Sequence, residues 1–302
     1  MKTLILNSRN IKANSGNSTF IYEFPRGSFQ VKDDYIAVAE ISMYWSAFNI
    51  TSAYRNNQFS YTWVDGTIHQ VIFPDGYYEV SNINEFLQFT MIQNGHYLIN
   101  ASTGDFVYLL EMVINQSQYA IQINNYVISS ALATTNGWSL PASPTWVLPT
   151  SLILPYITIP ANNDFGLLIG YTAGQYPAGV INASGANAPP LQTQTPAFTS
   201  AQSELSDLAP QITPYSSVLV FCSLVNNTAV VPSQLLFSFT PTDAGFGSLQ
   251  NFKTYEFAWN KCSDGSYPQF TIEFRDQLGR ALVFEDPNTL ITLVLKNRDD
   301  DY

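Results

Sequence analysis

Phe270-Thr271-Ile272-Glu273-Phe274-Arg275-Asp276-Gln277-Leu278-Gly279 is the stretch that decides the fold class. Phe270, Ile272 and Phe274 fall on one side and Thr271, Glu273 and Arg275 on the other, the period of two of a half-buried β-strand. Asp276 to Gly279 then reads as a hairpin turn with glycine in the left-handed position. The same signals recur outward in both directions. Toward the C-terminus, 281–284 and 289–295 read as strands, and toward the N-terminus so do 253–259, 234–239 and 216–224. Further back come 119–128, 106–114, 96–100, 77–80, 67–73, 58–64, 35–48 and 19–24. Asp65-Gly66, between 58–64 and 67–73, is a strong hairpin signal.

One helix interrupts the strands, over 82–94. Asn82 with Glu85 three residues on reads as its N-cap, and Ile83, Phe86, Leu87 and Met91 share one face. Gly95 stands where a C-cap is expected. Residues 141–214 hold eleven of the 17 prolines, so they read mostly as loop. Within them 162–171 suggests a short helical turn and 178–203 an extended arm. The acidic tail 299–301 is expected to fray. No internal repeat of fixed period is present. At least twelve strand candidates against one helix point to an all-β sandwich or barrel. An eight-stranded jelly roll takes roughly 150 residues, which leaves a β-rich, loop-rich insertion for the middle of the chain.

Composition narrows the function. Of 302 residues 46% are hydrophobic and only 12% charged, about half the usual share. Asn, Gln, Ser and Thr supply polarity instead, which suits a surface that will be buried against neighbours, because amides and hydroxyls need only a hydrogen-bond partner. All twelve Lys and Arg lie in 2–55 and 253–298, while 56–252 carries ten of the 23 acidic residues. Nucleic-acid contact is therefore excluded for the middle and left at most to the termini. The first residues are too short an apolar run for a signal peptide, and no run reaches the length of a membrane span, so a soluble protein made in a reducing compartment is expected. Cys222 and Cys262 have no metal or redox spacing and read as buried free thiols, with a single disulfide left open.

Chemistry is sparse. His69 and His96 stand apart in strand-like runs, and no nucleophile, phosphate-loop or zinc motif occurs. No catalytic, metal or cofactor-binding residue is assigned, and no enzyme activity is expected. A carboxylate pair drawn from Glu79, Glu85, Glu111 and Asp164 stays open as a glycoside-hydrolase alternative. Six Asn-x-Ser/Thr sequons, at Asn17, Asn49, Asn100, Asn115, Asn182 and Asn226, are what chance gives in so Asn-rich a chain.

The order of features resembles a known family. A strand, then Asp75-Gly76-Tyr77-Tyr78, then the helix from Asn82 resembles the Asp-Gly-x-Tyr-plus-helix segment of the penton (minor capsid) proteins of virophages and Polinton-like viruses. Phe165-Gly166-Leu167-Leu168-Ile169-Gly170-Tyr171 is similar to that family's Leu-Leu-Gly-Phe turn, with one residue more and Tyr for Phe. Val218-Leu219-Val220-Phe221-Cys222-Ser223 and the run from Phe274 through Asp286-Pro287-Asn288 resemble its final strands. Within that family the chain resembles the mavirus-like virophage branch. The resemblance spans about 18–296 but does not explain 97–160. It implies a single jelly roll; the strand count and the Pro-rich middle then set its core at 1–96 and 204–302 with an insertion, 97–203, and the absence of Lys and Arg from the middle leads us to expect that the insertion projects outward. The resemblance also implies a homopentamer at the vertices of an icosahedral virion beside the major capsid protein, assembled in the host cytoplasm and in reach of a host-cell receptor. A carbohydrate- or receptor-binding β protein, such as a fibre or lectin domain, is the alternative.

Overall fold

A computed structural model describes residues 1–177, 200–213, 215–241 and 245–298. The expected arm, but for 200–203, and the acidic tail lie outside the described residues. The chain divides into two compact units, one of 1–48 with 215–302 and the other of 49–214.

Eight strands build the first unit: Lys2–Leu6, Thr19–Glu23, Asp34–Tyr44, Val218–Cys222, Leu235–Phe239, Leu249–Lys253, Gln269–Asp276 and Thr289–Asn297. Counted along the chain, one sheet runs first, eighth, third, sixth, and the other second, seventh, fourth, fifth. Every neighbouring pair is antiparallel. This order is that of a jelly roll, with the second unit inserted between the third and fourth strands. Asn260–Lys261 adds a short pair to Asp34–Tyr44, and Phe29–Val31 with Gly265–Tyr267 forms a separate two-stranded sheet.

The period of two read at 270–275 is realised. Phe270, Ile272 and Phe274 are buried, and Phe274 meets Phe20 edge-on at 5.8 Å. Gly279 takes φ 80°, as the turn requires. The sequence reading differs elsewhere. The strand expected at 253–259 is Leu249–Lys253, and 281–284 makes only isolated bridges, Ala281 with Arg275 and Phe284 with Ala47. Thr254 accounts for the first difference. Its N–H bonds Ala39 O at 3.1 Å and its hydroxyl bonds Val38 O at 2.7 Å, ending the regular ladder, and Tyr255 beyond it is 96% exposed. The terminal Lys2–Leu6, read only as a short apolar run, is an edge strand.

Among the described residues the second unit holds three small sheets and three α-helices: the expected helix, a second of seven residues, and a third of five on the helical turn expected within 162–171. Its largest sheet orders Gly174–Tyr176, Tyr156–Ile159, Gln58–Thr62 and Ile68–Ile72. The others are Gln202–Leu205, Ala120–Asn125, Leu110–Asn115 and Trp138–Ser139, Leu98–Asn100, Phe106–Val107. Helix α1 is Val80–Gln93, α2 Ser130–Asn136 and α3 Phe165–Ile169. The strand expected at 77–80 gives way to the start of α1. Glu79, not Asn82, is its N-cap, and Asn82 is the third helical residue, whose Oδ1 accepts from Glu79 N at 3.1 Å. Val80, Ile83, Leu87 and Met91 are buried, while Phe86 is half-buried, 4.7 Å from Phe73. Phe59 stacks on Phe165 at 4.9 Å in the same core.

The unit limits differ from the expected insertion, 97–203. Tyr156–Ile159 pairs with Gln58–Thr62, and α1 packs on Leu110–Asn115, so the 58–72 hairpin and α1 belong with the insertion. The Phe165–Tyr171 motif is structural. A Cβ on Gly166 would stand 2.4 Å from Tyr171 O, and Gly170 (φ 80°) admits none, since Leu208 O would be 2.3 Å away.

Asp276 is fully buried and holds the 276–280 turn. Its Oδ1 accepts from Leu278 N at 2.9 Å and Arg280 N at 2.8 Å, and its Oδ2 pairs with Arg280 Nε at 2.7 Å. Asp276→Ala removes this shared acceptor from the turn and is expected to cost about 3 kcal/mol. Urea unfolding measures it, and a loss under about 1 kcal/mol contradicts the assignment.

Candidate functional site

The Asp65-Gly66 hairpin and the C-terminal end of α1 bring titratable, amide and aromatic side chains together around one pocket. Gly66 N donates to Trp63 O and Trp63 N to Thr67 O, both at 2.9 Å, and Gly66 takes φ 84°. This is a turn followed by a left-handed residue, the geometry of a three-residue hairpin loop. It sets Tyr61, Trp63, Asp65, Thr67 and His69 along the hairpin. On the other side α1 ends at Asn94, and Gly95 (φ 72°) turns the chain so that His96 N bonds Met91 O at 2.8 Å.

The two histidines, separated in sequence, meet there. Their rings lie edge-to-face with centroids 4.4 Å apart. His96 is buried, stacked on Trp63 at 4.7 Å with planes 5° apart. Asn94 Nδ2 donates to the Tyr61 hydroxyl at 3.4 Å, and that hydroxyl shares a hydrogen bond with His96 Nδ1 at 2.9 Å. His69 stacks on Tyr61 at 5.3 Å, and its Nε2 lies 2.9 Å from Thr67 Oγ1. Trp146 closes the wall edge-on to Trp63 at 5.1 Å and donates from Nε1 to Gly95 O at 2.7 Å. The Trp63 Nε1–H is buried without a hydrogen-bond partner among the described residues. A pocket of about 530 Å³ opens over this cluster.

Electrostatics keep the buried His96 neutral beside one acid. Burial, then the neighbouring His69, pushes His96 down to about 4 against a small opposing pull from Asp65. Burial pushes the Asp65 carboxyl up, but hydrogen bonds from the Thr67 hydroxyl and N–H outweigh it, and with His96 nearby hold it below its ordinary value. Burial raises the Tyr61 phenol far above its ordinary value.

The other titratable candidates do not converge. Glu79 is the N-cap of α1, Asp164 holds the N-cap position of α3 with no side-chain capping bond, and Glu85 lies exposed on α1 rather than capping it. Glu111 accepts from Asn124 at 2.8 Å and Tyr126 at 2.7 Å, and this bond, with burial, raises Tyr126 to about 12. Cys222 and Cys262 are free and buried, each raised to about 12 chiefly by burial. Among the described residues no group of three or more His, Cys, Asp or Glu gathers to hold a metal, and no helix is long and apolar enough to cross a membrane. No sequence signal announces the histidine pair, because the hairpin and the helix end that bring it together are separate local features.

His96 makes stability pH-dependent. Its value of about 4 in the fold lies below the 6.5 of an unperturbed histidine, so the unfolded chain takes up this proton first. The contribution is complete above pH 6.5 and is lost as pH falls toward 4. Chemical denaturation across this window should show a decline on the order of 2 kcal/mol from this group, flattened by His96→Gln. A wild-type profile identical to the variant's contradicts a buried neutral imidazole.

No protein-family model and no curated protein matches the chain. Two solved structures are similar to it over nearly its whole length. The crystal structure of the selenomethionine-labelled mavirus penton protein shares 10% identity, covers 97% of this chain and 96% of that one, and has a TM-score of 0.41. The 3.5 Å cryo-EM structure of the Sputnik virophage shares 12% identity, covers 100% and 99%, and has a TM-score of 0.36. Likeness at this level adds nothing to the strand order, on which the assignment of the jelly roll rests.

Proposed function

We propose that the chain is a structural capsid protein, the vertex (penton) subunit of an icosahedral virus, and not an enzyme. The observation that carries the reading is the strand order of the first unit. It makes a single jelly roll, a fold used repeatedly in viral capsids, and it keeps both chain ends in one module while a separate unit is spliced between two strands. The ordered motifs of residues 75–78 and 165–171 support the same reading, and both serve as structural elements. Asp75 accepts from Ser52 N at 2.7 Å, and the Tyr78 backbone is clamped by Asn49 through two 2.8 Å bonds just ahead of α1.

In this reading five copies close a ring through a heterologous interface, one edge of the jelly roll meeting a different edge of the next copy. The major capsid protein surrounds the ring, and the second unit is the part displayed outward in the virion, where a host-cell receptor can reach it. The first unit carries eleven of the twelve basic residues, so any contact with packaged nucleic acid falls there. Particles assemble in the host cytoplasm.

Analytical ultracentrifugation across salt and pH, with and without the major capsid protein, tests the proposal. Each copy carries a formal charge of −11, so a pentamer is expected to strengthen with added salt and mild acid. A stable trimer under every condition contradicts a vertex subunit and favours the fibre-like alternative.

A further inference from the structure

We infer that the pocket between the 63–67 hairpin and the end of α1 binds a neutral, hydroxyl-rich ligand of the saccharide class. The inference stands on this pocket alone and does not depend on the capsid reading. Its volume, about 530 Å³, lies in the range of small-ligand sites, and it opens to solvent rather than closing over an apolar cavity.

The pocket's polar groups are only partly committed to the protein. Asp65 uses Oδ1 for Thr67, leaving Oδ2 without a partner among the described residues. His69 uses Nε2 and leaves Nδ1, and Asn94 uses Nδ2 and leaves Oδ1. The Gln93 amide and Ser143 hydroxyl, both exposed in the lining, have no partner among the described residues. Acceptors, an imidazole nitrogen, an amide and a hydroxyl converge on one space, the mixture that pairs with groups that both donate and accept. Tyr97, braced by Phe106 at 4.5 Å, adds an aromatic surface on which the C–H face of a sugar ring can lie.

Charge then selects among polar ligands. No Lys or Arg lines the pocket, and 49–214 contains one basic residue, Arg55, against nine acidic ones. Arg55 is engaged with Asn162 O at 3.0 Å. The pocket also lies at the C-terminal end of a fourteen-residue helix, where the backbone dipole is negative. Phosphates, sulfated and sialylated glycans and nucleic acids are therefore disfavoured. A single carboxylate amid amides and hydroxyls fits a neutral polyol better than a cation.

Two measurements on the full chain test this. Saturation-transfer NMR with a panel of free neutral monosaccharides separates small sugars from chains, and a glycan array carrying neutral, sialylated and sulfated chains supplies the rest. The expected result is binding to neutral members in at least one format, in the millimolar range for a monosaccharide, weakened about tenfold by Asp65→Asn or Gln93→Ala. Both variants are surface changes, and unchanged thermal unfolding confirms that they fold. No neutral binding in either format, binding confined to charged glycans, or binding indifferent to both substitutions each overturns the inference.

Discussion

The first unit depends on one ladder. Thr289–Asn297 lies antiparallel against Asp34–Tyr44, pairing Thr289 with Met43 and Asn297 with Asp34, with one register shift between Thr292 and Leu293. The last strand is thereby placed between the first and the third, and Leu6, Ile36, Ile41, Ile291 and Leu293 are all fully buried. A contact this distant in sequence forms only after the entropy of closing the intervening chain has been met. An insertion that packs on its own hydrophobic core lowers the effective length of that loop, and 49–214 is such a unit.

The scarcity of charge has a structural counterpart inside the second unit. Asn49, Asn56 and Asn125 are buried and satisfy backbone groups that no ladder reaches. Asn49 spans Tyr78 and Ile212, Asn56 bonds Thr51 N and Asn49 O, and Asn125 reaches Pro155 O and Tyr176 O. Tyr171 does the same for the Ala120–Asn125 strand, accepting from Ile123 N at 3.1 Å. Amides and phenols carry out here what an ion pair would do at a higher desolvation cost. The amide-rich composition, read as surface polarity suited to interfaces, is thus partly an internal scaffold.

Where periodicity is local, the sequence was a sufficient guide. The alternation at 270–275 and the Asp65-Gly66 turn both rest on the chemistry of neighbouring residues. The start of α1 was misread because Asn82 suits a cap as well as it suits the third helical position facing Glu79. Aromatic residues at 255–259 have the composition of a strand, yet Thr254 bonds Val38 and Ala39 and ends the ladder before them. The unit boundary was illegible because the 58–72 hairpin alternates as a jelly-roll strand pair would, and only the distant Tyr156–Ile159 claims it. The histidine pocket was illegible for the same reason, being made by tertiary placement alone.

Hydrogen exchange read by mass spectrometry on the intact chain tests the central ladder most directly. The account predicts that amides of Asp34–Tyr44 and Thr289–Asn297 are the slowest in the first unit and exchange together, in one opening event. Rapid or independent exchange of Thr289–Asn297 while Asp34–Tyr44 stays protected would contradict it, since the last strand would then be an appendage rather than the element that closes the sheet.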